Sequence, residues 1–148
     1  MKYIIVEIIP TSSKKSTGDI VQLSALKIND LNLIDRFDYR LNEDKITIPD
    51  LLKIISYDKE SFKYVDSSDI ILSDFKKWIE DYKLLIIDNP YTLSYLEEIV
   101  NKESILKHLN LTYSDDVIDV IMKKYNLEPS NYIVDLLYEA LIYESNNK

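Results

Sequence analysis

The chain has 148 residues, of which 46% are hydrophobic, with one glycine, four prolines and no cysteine. This composition excludes collagen-like and disordered chains, disulfide frameworks and zinc–thiolate sites. The net charge of −8 argues against tight non-specific binding of nucleic acid, which usually requires a basic surface. We therefore expect one globular domain over residues 1–148, frayed at its last few residues, cytoplasmic and without a membrane span.

Three strand patterns come first. The run KYIIVEII is almost wholly apolar, which predicts a strand at residues 2–9 that is covered on both faces. Alternating runs predict strands at residues 19–28 and 33–41, and the polar link INDLN predicts a tight turn between them. Together these segments predict an antiparallel meander.

Helix and strand patterns alternate in the rest of the chain. An apolar stripe predicts a helix at residues 69–82, and the apolar run KLLIID predicts a buried parallel strand at residues 84–87. Start signals predict helices at residues 90–100, 115–125 and 131–143, and a short strand is expected near residues 105–108. The predicted fold class is α/β, a mixed sheet flanked by helices.

Individual residues define the ends and faces of these helices. Ser114 and Ser130 are the expected N-caps of the last two helices, and Asn126 is the expected left-handed stop between them. In the helix that begins at Pro90, Leu93 and Val100 are expected to face the core, together with Leu96.

Glu7 interrupts the apolar run of the first predicted strand. A buried carboxylate without a partner costs several kcal/mol or becomes neutral. Glu7 is therefore a metal ligand, the remnant of one, or a side chain that reaches water at the strand end.

Four segments, in their order and spacing, resemble the DEDD, or DnaQ-like, 3′–5′ exonuclease superfamily. They are GDIVQLSALKI, ITIPDLLKIISYDKESFKYVDSSDIILSDFKKWIED, LLIIDNPYTLSYLEEI and MKKYNLEPSNYIVDLLYEALIY. The resemblance covers nearly the whole chain and implies a ribonuclease H-like fold. It also implies the family's chemistry, in which four carboxylates hold two metal ions and a histidine acts as general base.

The resemblance further implies that this active site is degenerate. The positions that match the family's active site, including its His-Asn turn, are Glu7, Ile9, Asp88, Asn89, Leu93, Ser130 and Asp135. Two ligand positions carry Ile9 and Leu93, and the position of the catalytic histidine falls near Ser130. Glu7 and Asp135 are the two candidate metal ligands that remain.

Each of these residues also has a structural interpretation. Glu7 could extend its carboxyl group to water or pair with a lysine, and Asp135, opposite the apolar stripe of its helix, could be a solvated acid. The sequence Asp88-Asn89-Pro90 is typical of a turn that begins a helix. His108 is the only histidine; it does not match the catalytic position and is expected to be structural or at the surface.

Three functions are compatible with this sequence. The first is a non-catalytic exonuclease-like domain that acts as a binding or scaffold module, with no cofactor. The second is a divergent exonuclease that needs Mg²⁺ or Mn²⁺ and uses Glu7, Asp88, Asp116 or Asp135. The third is a structural subunit of an oligomer. The expected partner is a protein or a second copy; nucleic acid is disfavoured by the charge, because the only basic features are lysine pairs near Lys14 and Lys123.

Overall fold

The computed structural model describes residues 1–12, 18–54, 62–130 and 132–147. The lysine pair near Lys14 lies outside these residues. The strands are β1 (Lys2–Pro10), β2 (Ile20–Asn29), β3 (Asn32–Leu41), β4 (Lys63–Val65), β5 (Lys83–Ile86) and β6 (Lys102–Ser104). The helices are α1 (Pro49–Ile54), α2 (Ser68–Trp78), α3 (Pro90–Tyr95), α4 (Ile105–His108), α5 (Val117–Tyr125) and α6 (Ile133–Asn146), with a 3₁₀ turn at Glu43–Lys45.

The strands form one six-stranded sheet in the order β4-β3-β2-β1-β5-β6. Strands β1, β2 and β3 are antiparallel neighbours, whereas β4, β5 and β6 join the sheet through parallel pairings. The meander and the parallel strand beside β1 are therefore confirmed. The fold is α/β, with a mixed sheet flanked by helices, and it is consistent with a ribonuclease H-like arrangement.

The turn between β2 and β3 has the predicted tight geometry. Asp30 and Leu31 both have positive φ angles, 49° and 70°. Two consecutive left-handed residues match the right-handed twist of the flanking strands. This geometry brings Asn29 opposite Asn32 and thereby sets the register of the hairpin.

The pleat of the sheet separates two cores. One face, which we call the α2 face, carries Ile4, Val6 and Ile8 of β1 against the side chains of α2 and α3. The other, the α6 face, carries Ile5 of β1 against α4, α5 and α6. Because successive residues of a strand point to opposite faces, Glu7 lies on the α6 face.

Two predicted helices are shorter than their patterns indicated. Helix α2 ends at Trp78 rather than residue 82, since Glu80 adopts a left-handed conformation that turns the chain into β5. Helix α3 ends at Tyr95 rather than residue 100, and β6 then begins at Lys102. Leu96 is buried as predicted, but Leu93 and Val100 are exposed, so their predicted inward orientation is wrong.

The strand predicted near residues 105–108 is also wrong. This segment is the one-turn helix α4, and the strand is β6, immediately before it. The Ser104 hydroxyl accepts a hydrogen bond from the Leu106 backbone N–H and so caps the turn. A short apolar run such as Ile105-Leu106 carries no periodicity that separates helix from strand.

The starts of the last two helices differ from prediction, whereas the stop between them is confirmed. Asn126 has φ 54° and ψ 52° and ends α5 in the left-handed conformation. Asp116, not Ser114, is the N-cap of α5, and Tyr132, not Ser130, is that of α6.

The C-terminal end is more regular than expected. Helix α6 runs to Asn146, three residues beyond the predicted end and into the segment expected to fray. The buried residues of its apolar stripe, which include Leu137 and Ala140, hold the helix against the sheet.

Candidate functional site

A row of polar side chains crosses the α6 face of the sheet. In the register of the antiparallel strands, Glu7 of β1 lies opposite Ser24 of β2, and Ser24 lies opposite Asp38 of β3. Directly opposed residues of neighbouring strands have Cβ atoms about 4.5–5.5 Å apart. These three residues, which we call the polar row, are therefore one continuous line of oxygen-bearing side chains.

Two oxygen atoms along this line lack hydrogen-bond partners among the described residues. They are the hydroxyl of Ser24, which is 1% exposed, and Oδ1 of Asp38. Tyr64 on β4 sits beside Arg40 in parallel register, and its buried hydroxyl is also unpartnered within the described part of the chain. Buried polar atoms normally find a partner, so the polar row is the place where a water molecule or a ligand would be held.

Burial raises the pKa of Glu7 to about 7, and burial is the only cause of that shift. No described side chain hydrogen-bonds the carboxyl group or pairs with it. The lysine partner considered from the sequence is therefore not found in the described part of the chain, and the raised pKa means that this carboxyl group holds its proton more tightly than an exposed one.

Arg36 connects the polar row to helix α6. Its Nε donates to Oδ2 of Asp38 at 3.1 Å and its Nη1 donates to Oδ1 of Asp135 at 2.8 Å. The guanidinium carbon also lies 5.2 Å from the centre of the Tyr132 ring. One cation thus neutralises two carboxylates that come from distant parts of the chain.

The second arginine of the chain lies on the same face. Arg40 is buried, donates two hydrogen bonds to Oε1 of Gln22 at 3.0 and 2.6 Å, and stacks 3.8 Å above the Phe62 ring. Phe62 in turn stacks on Tyr132 with ring centres 5.8 Å apart. Both arginines of the sequence therefore lie on the α6 face, held by aromatic rings.

Sequence reasoning missed most of this site. A signal was present, because Arg36, Asp38 and Arg40 occupy alternate positions and must share one face of β3. Three charges on one face of a strand indicate either solvent or a buried polar network. The strand pattern alone does not distinguish them, because the partners come from β2 and α6.

The positions that match the exonuclease active site in sequence do not lie in one common environment. Ile9 packs in an apolar cluster with Val21, Leu41 and Ile46, whereas Leu93 is exposed on α3. Ser130 is exposed, and its hydroxyl accepts a hydrogen bond from the Tyr132 backbone N–H.

The turn interpretation of the Asp-Asn-Pro sequence is confirmed. Asp88 is exposed, and the side chain of Asn89 caps α3 by accepting a hydrogen bond from the Thr92 N–H at 2.9 Å. In the parallel register of β1 and β5, Ile5 pairs with Leu85. Asp88 thus follows the strand end nearest Glu7.

Asp135 is a helix acid that is one-third exposed, and its carboxylate accepts a hydrogen bond from Arg36. Asp116 is at the surface, where its carboxylate accepts a hydrogen bond from the Ser114 hydroxyl. Of the acids considered from the sequence, Glu7 belongs to the polar row, and Asp135 is linked to the row through Arg36.

These residues do not fit a two-metal site. Within residues 1–12, 18–54, 62–130 and 132–147, no three acidic, histidine or cysteine side chains are close enough together to hold one metal ion. Mg²⁺ and Mn²⁺ need several anionic oxygens. Here burial raises the pKa of one carboxyl group, that of Glu7, and the Arg36 guanidinium pairs with two others.

His108 has a structural role away from the polar row. Its Nε2 is 2.6 Å from Oε1 of Glu103, and its ring makes an edge contact with the Tyr3 ring. The hydrogen bond to His108 is the main reason that the pKa of Glu103 is lowered. The pair ties α4 to β6, as a structural histidine would.

Comparison with known proteins adds no assignment. The chain matches no protein-family model and no curated protein. Among the described residues, no helix has both the length and the apolar character required to cross a membrane.

Proposed function

We propose that this protein is a non-catalytic, exonuclease-like domain that acts by binding a partner protein. The observation that supports its non-catalytic part is the double contact of Arg36 with Asp38 and Asp135. In a metal-dependent nuclease, acids on this face would be neutralised by metal ions. Here an arginine of the chain itself supplies the positive charge.

Catalysis would face two obstacles. A metal ion would have to displace Arg36 and hold the Glu7 carboxyl group in its charged form, although burial keeps the pKa of that group near 7. Water activation would also lack its base, since Ser130 stands near the position of the family's histidine. General-base assistance is typically worth about 10²–10⁴ in rate.

The alternative is a divergent Mg²⁺- or Mn²⁺-dependent exonuclease. One observation favours it: Ser24, opposite Glu7, and Asp38, one strand further along the row, present buried oxygens that have no partner among the described residues. Such oxygens could help to hold a cation if Arg36 moved aside. The absence of a cluster of three acids among the described residues weighs against this alternative.

A nuclease assay separates the two functions. End-labelled single-stranded DNA and RNA are incubated with the wild-type protein and Mn²⁺, and nucleotide release from the 3′ end is measured. Glu7→Gln removes the candidate ligand, and Glu128→Gln at an exposed position is the matched control. We expect no release from any variant. Release that Glu7→Gln abolishes and Glu128→Gln retains would refute the non-catalytic function.

A further inference from the structure

The polar row contains more hydrogen-bond acceptors than the described part of the chain satisfies. The hydroxyl of Ser24, a residue that is 1% exposed, and Oδ1 of Asp38, whose side chain is 7% exposed, have no hydrogen-bond partner among the described residues. The carboxyl group of Glu7 has no described partner either. Because buried oxygens normally find a donor, three neighbouring acceptors without one indicate a place where a donor is missing.

The strand register brings these three side chains together on the α6 face. Ser24 lies directly opposite Glu7 of β1 on one side and Asp38 of β3 on the other. Oδ2 of Asp38 already accepts a hydrogen bond from Nε of Arg36 at 3.1 Å, so Oδ1 is the oxygen that is left for a further donor. A group bound over Ser24 would therefore meet an acceptor from each of three adjacent strands.

The charges around the row are unbalanced by one. Glu7, Asp38 and Asp135 supply three negative charges when all are ionised. Arg36 and Arg40 supply two positive charges on the same face. The remaining negative charge falls on Glu7, because Arg36 pairs with the other two acids. Since a buried charge needs a partner, the missing donor should carry one positive charge.

A primary ammonium group matches both deficits. It carries a single positive charge and three N–H donors, one for each of the three acceptors. Mg²⁺ and Ca²⁺ match less well, because they take six or more oxygen ligands and no three metal-binding side chains of the described residues lie close enough together. A water molecule would satisfy hydrogen bonds but would leave Glu7 without a counter-charge.

The burial of the row limits the size of the ligand. Ser24, at the centre of the row, is closed to solvent, whereas Glu7 is partly exposed. The side chain of Glu7 must turn aside before a ligand reaches Ser24, and no hydrogen bond or ion pair to a described residue holds it in place. A small, unbranched –CH₂–NH₃⁺ group suits such an entrance, whereas a quaternary ammonium group is bulkier and has no N–H donor.

From these observations we infer that the polar row binds the primary ammonium group of a small amine, held by Glu7, Ser24 and Asp38. Glu7 supplies the counter-charge, and Ser24 and Asp38 accept the remaining hydrogen bonds. The end of a lysine side chain offers the same chemistry. This inference goes beyond the proposed partner-binding function and does not depend on it, since the ligand is recognised inside the domain.

The first measurement is the melting temperature of the wild-type protein in matched chloride salts, at a pH above the pKa of Glu7. Ammonium, methylammonium, potassium and tetramethylammonium are compared at equal ionic strength. Ammonium and methylammonium should raise the melting temperature by about 3–6 °C relative to tetramethylammonium, the shift expected at roughly ten times the dissociation constant. An equal rise in potassium, or equal melting temperatures in all four salts, would overturn the inference.

Variants show whether the ammonium group binds at the polar row. Ser24→Ala removes a hydroxyl that has no described partner, so it should leave the free protein at least as stable and weaken methylammonium binding about tenfold. Ser73→Ala, exposed on α2, is the matched control and should change neither quantity. Glu7→Gln should weaken binding at least tenfold, whereas Glu128→Gln should not. Wild-type affinity in both Ser24→Ala and Glu7→Gln would overturn the site.

A further comparison identifies the source of the ammonium group. Nα-acetyl-lysine amide carries this group on a lysine side chain, and ethylammonium carries it on a free amine. Equal stabilisation by both, lost in Ser24→Ala, would support the site and extend it to lysine side chains. Stabilisation by ethylammonium alone would support the site and restrict it to small amines.

The nuclease assay separates this inference from the proposed function. Equal melting temperatures in the four salts would overturn the ammonium site and leave the non-catalytic function in place if no nucleotide is released. Mn²⁺-dependent nucleotide release that Glu7→Gln abolishes would refute that function. The ammonium site would then stand or fall on the salt comparison alone.

Discussion

The two faces of the sheet are built from the same strands, but their side chains are stabilised by different interactions. On the α2 face, Phe37 packs against Phe75 and Trp78, and the residues of β1 that share this face are apolar. On the α6 face of the same strands, the polar row leaves oxygens without a described partner beside an arginine. The α2 face is held by packing, whereas the polar part of the α6 face is held by charge.

This difference shows how a sheet can be stable and still carry a costly polar site. Close packing on one face contributes free energy in proportion to the apolar area removed from water. Each unpartnered buried oxygen on the other face costs roughly 1–3 kcal/mol. The α2 face thus offsets the cost of the polar row, and removal of the Glu7 charge from that row should have the opposite sign to removal of a buried ring from the α2 face.

The largest expected effect is on the α2 face. Phe75 is fully buried and contacts both Phe37 and Trp78. Phe75→Ala should lower the free energy of unfolding by about 3–5 kcal/mol, because it removes contacts and leaves a cavity. Denaturant unfolding measures this loss. Tyr39→Phe, which removes only a hydroxyl group, should cost less than about 1.5 kcal/mol; equal losses would contradict a packing-dominated face.

The opposite sign is expected for Glu7→Gln on the α6 face. The pKa of Glu7 is about 7 in the folded protein, whereas without burial it is 4.5. The folded state therefore holds this proton more tightly, so Glu7 favours folding below about pH 4.5 and loses that contribution as the pH rises through 7. The stability gain from Glu7→Gln should grow by about 2–3 kcal/mol between pH 5 and pH 8.

Unfolding curves of both proteins across this pH range measure that gain. Glu128→Gln, at an exposed position, is the control and should show no such trend. A gain for Glu7→Gln that does not change with pH would mean that Glu7 is not desolvated in solution.

A smaller loss is expected for Arg36→Met. The substitution leaves Asp38, whose side chain is 7% exposed, without its cation. Because Arg36 itself is partly exposed, we expect a loss of about 1–2 kcal/mol rather than that of a fully buried pair. Lys76→Met breaks the surface pair with Glu98 and should cost less than about 0.5 kcal/mol. Equal costs would mean that Arg36 does not organise the polar row.

The smallest expected effect is that of divalent metal. Mg²⁺ or Mn²⁺ at millimolar concentration should shift the melting temperature of the wild-type protein by less than about 1 °C. The described residues hold no cluster of three metal-binding side chains, and a ligand present well below its dissociation constant stabilises a protein only slightly. A calorimetric scan measures this shift. A rise of several degrees with Mn²⁺, lost in Glu7→Gln, would favour the exonuclease alternative.

The sequence by itself determined the features that depend on near neighbours. The alternation in β2 and β3, the tight turn at Asp30 and the left-handed stop at Asn126 follow from local backbone and side-chain preferences. These preferences act within a few residues, so their patterns can be read along the chain. They also place Glu7 and Arg36 on defined faces, because the side-chain period of a strand is two.

Only the tertiary structure decided what those faces meet. Arg36 reaches Asp135 across 99 positions of sequence, and β4, which follows β3 only after a long connection, pairs with the last three residues of β3. No local preference encodes such contacts. They arise when burial of the apolar stripe of α6 and pairing of β4 together repay the entropy of closing long loops. For the same reason the sequence located Glu7 and Arg36 in strands but could not reveal that Arg36 pairs with Asp135 on the same side of the sheet.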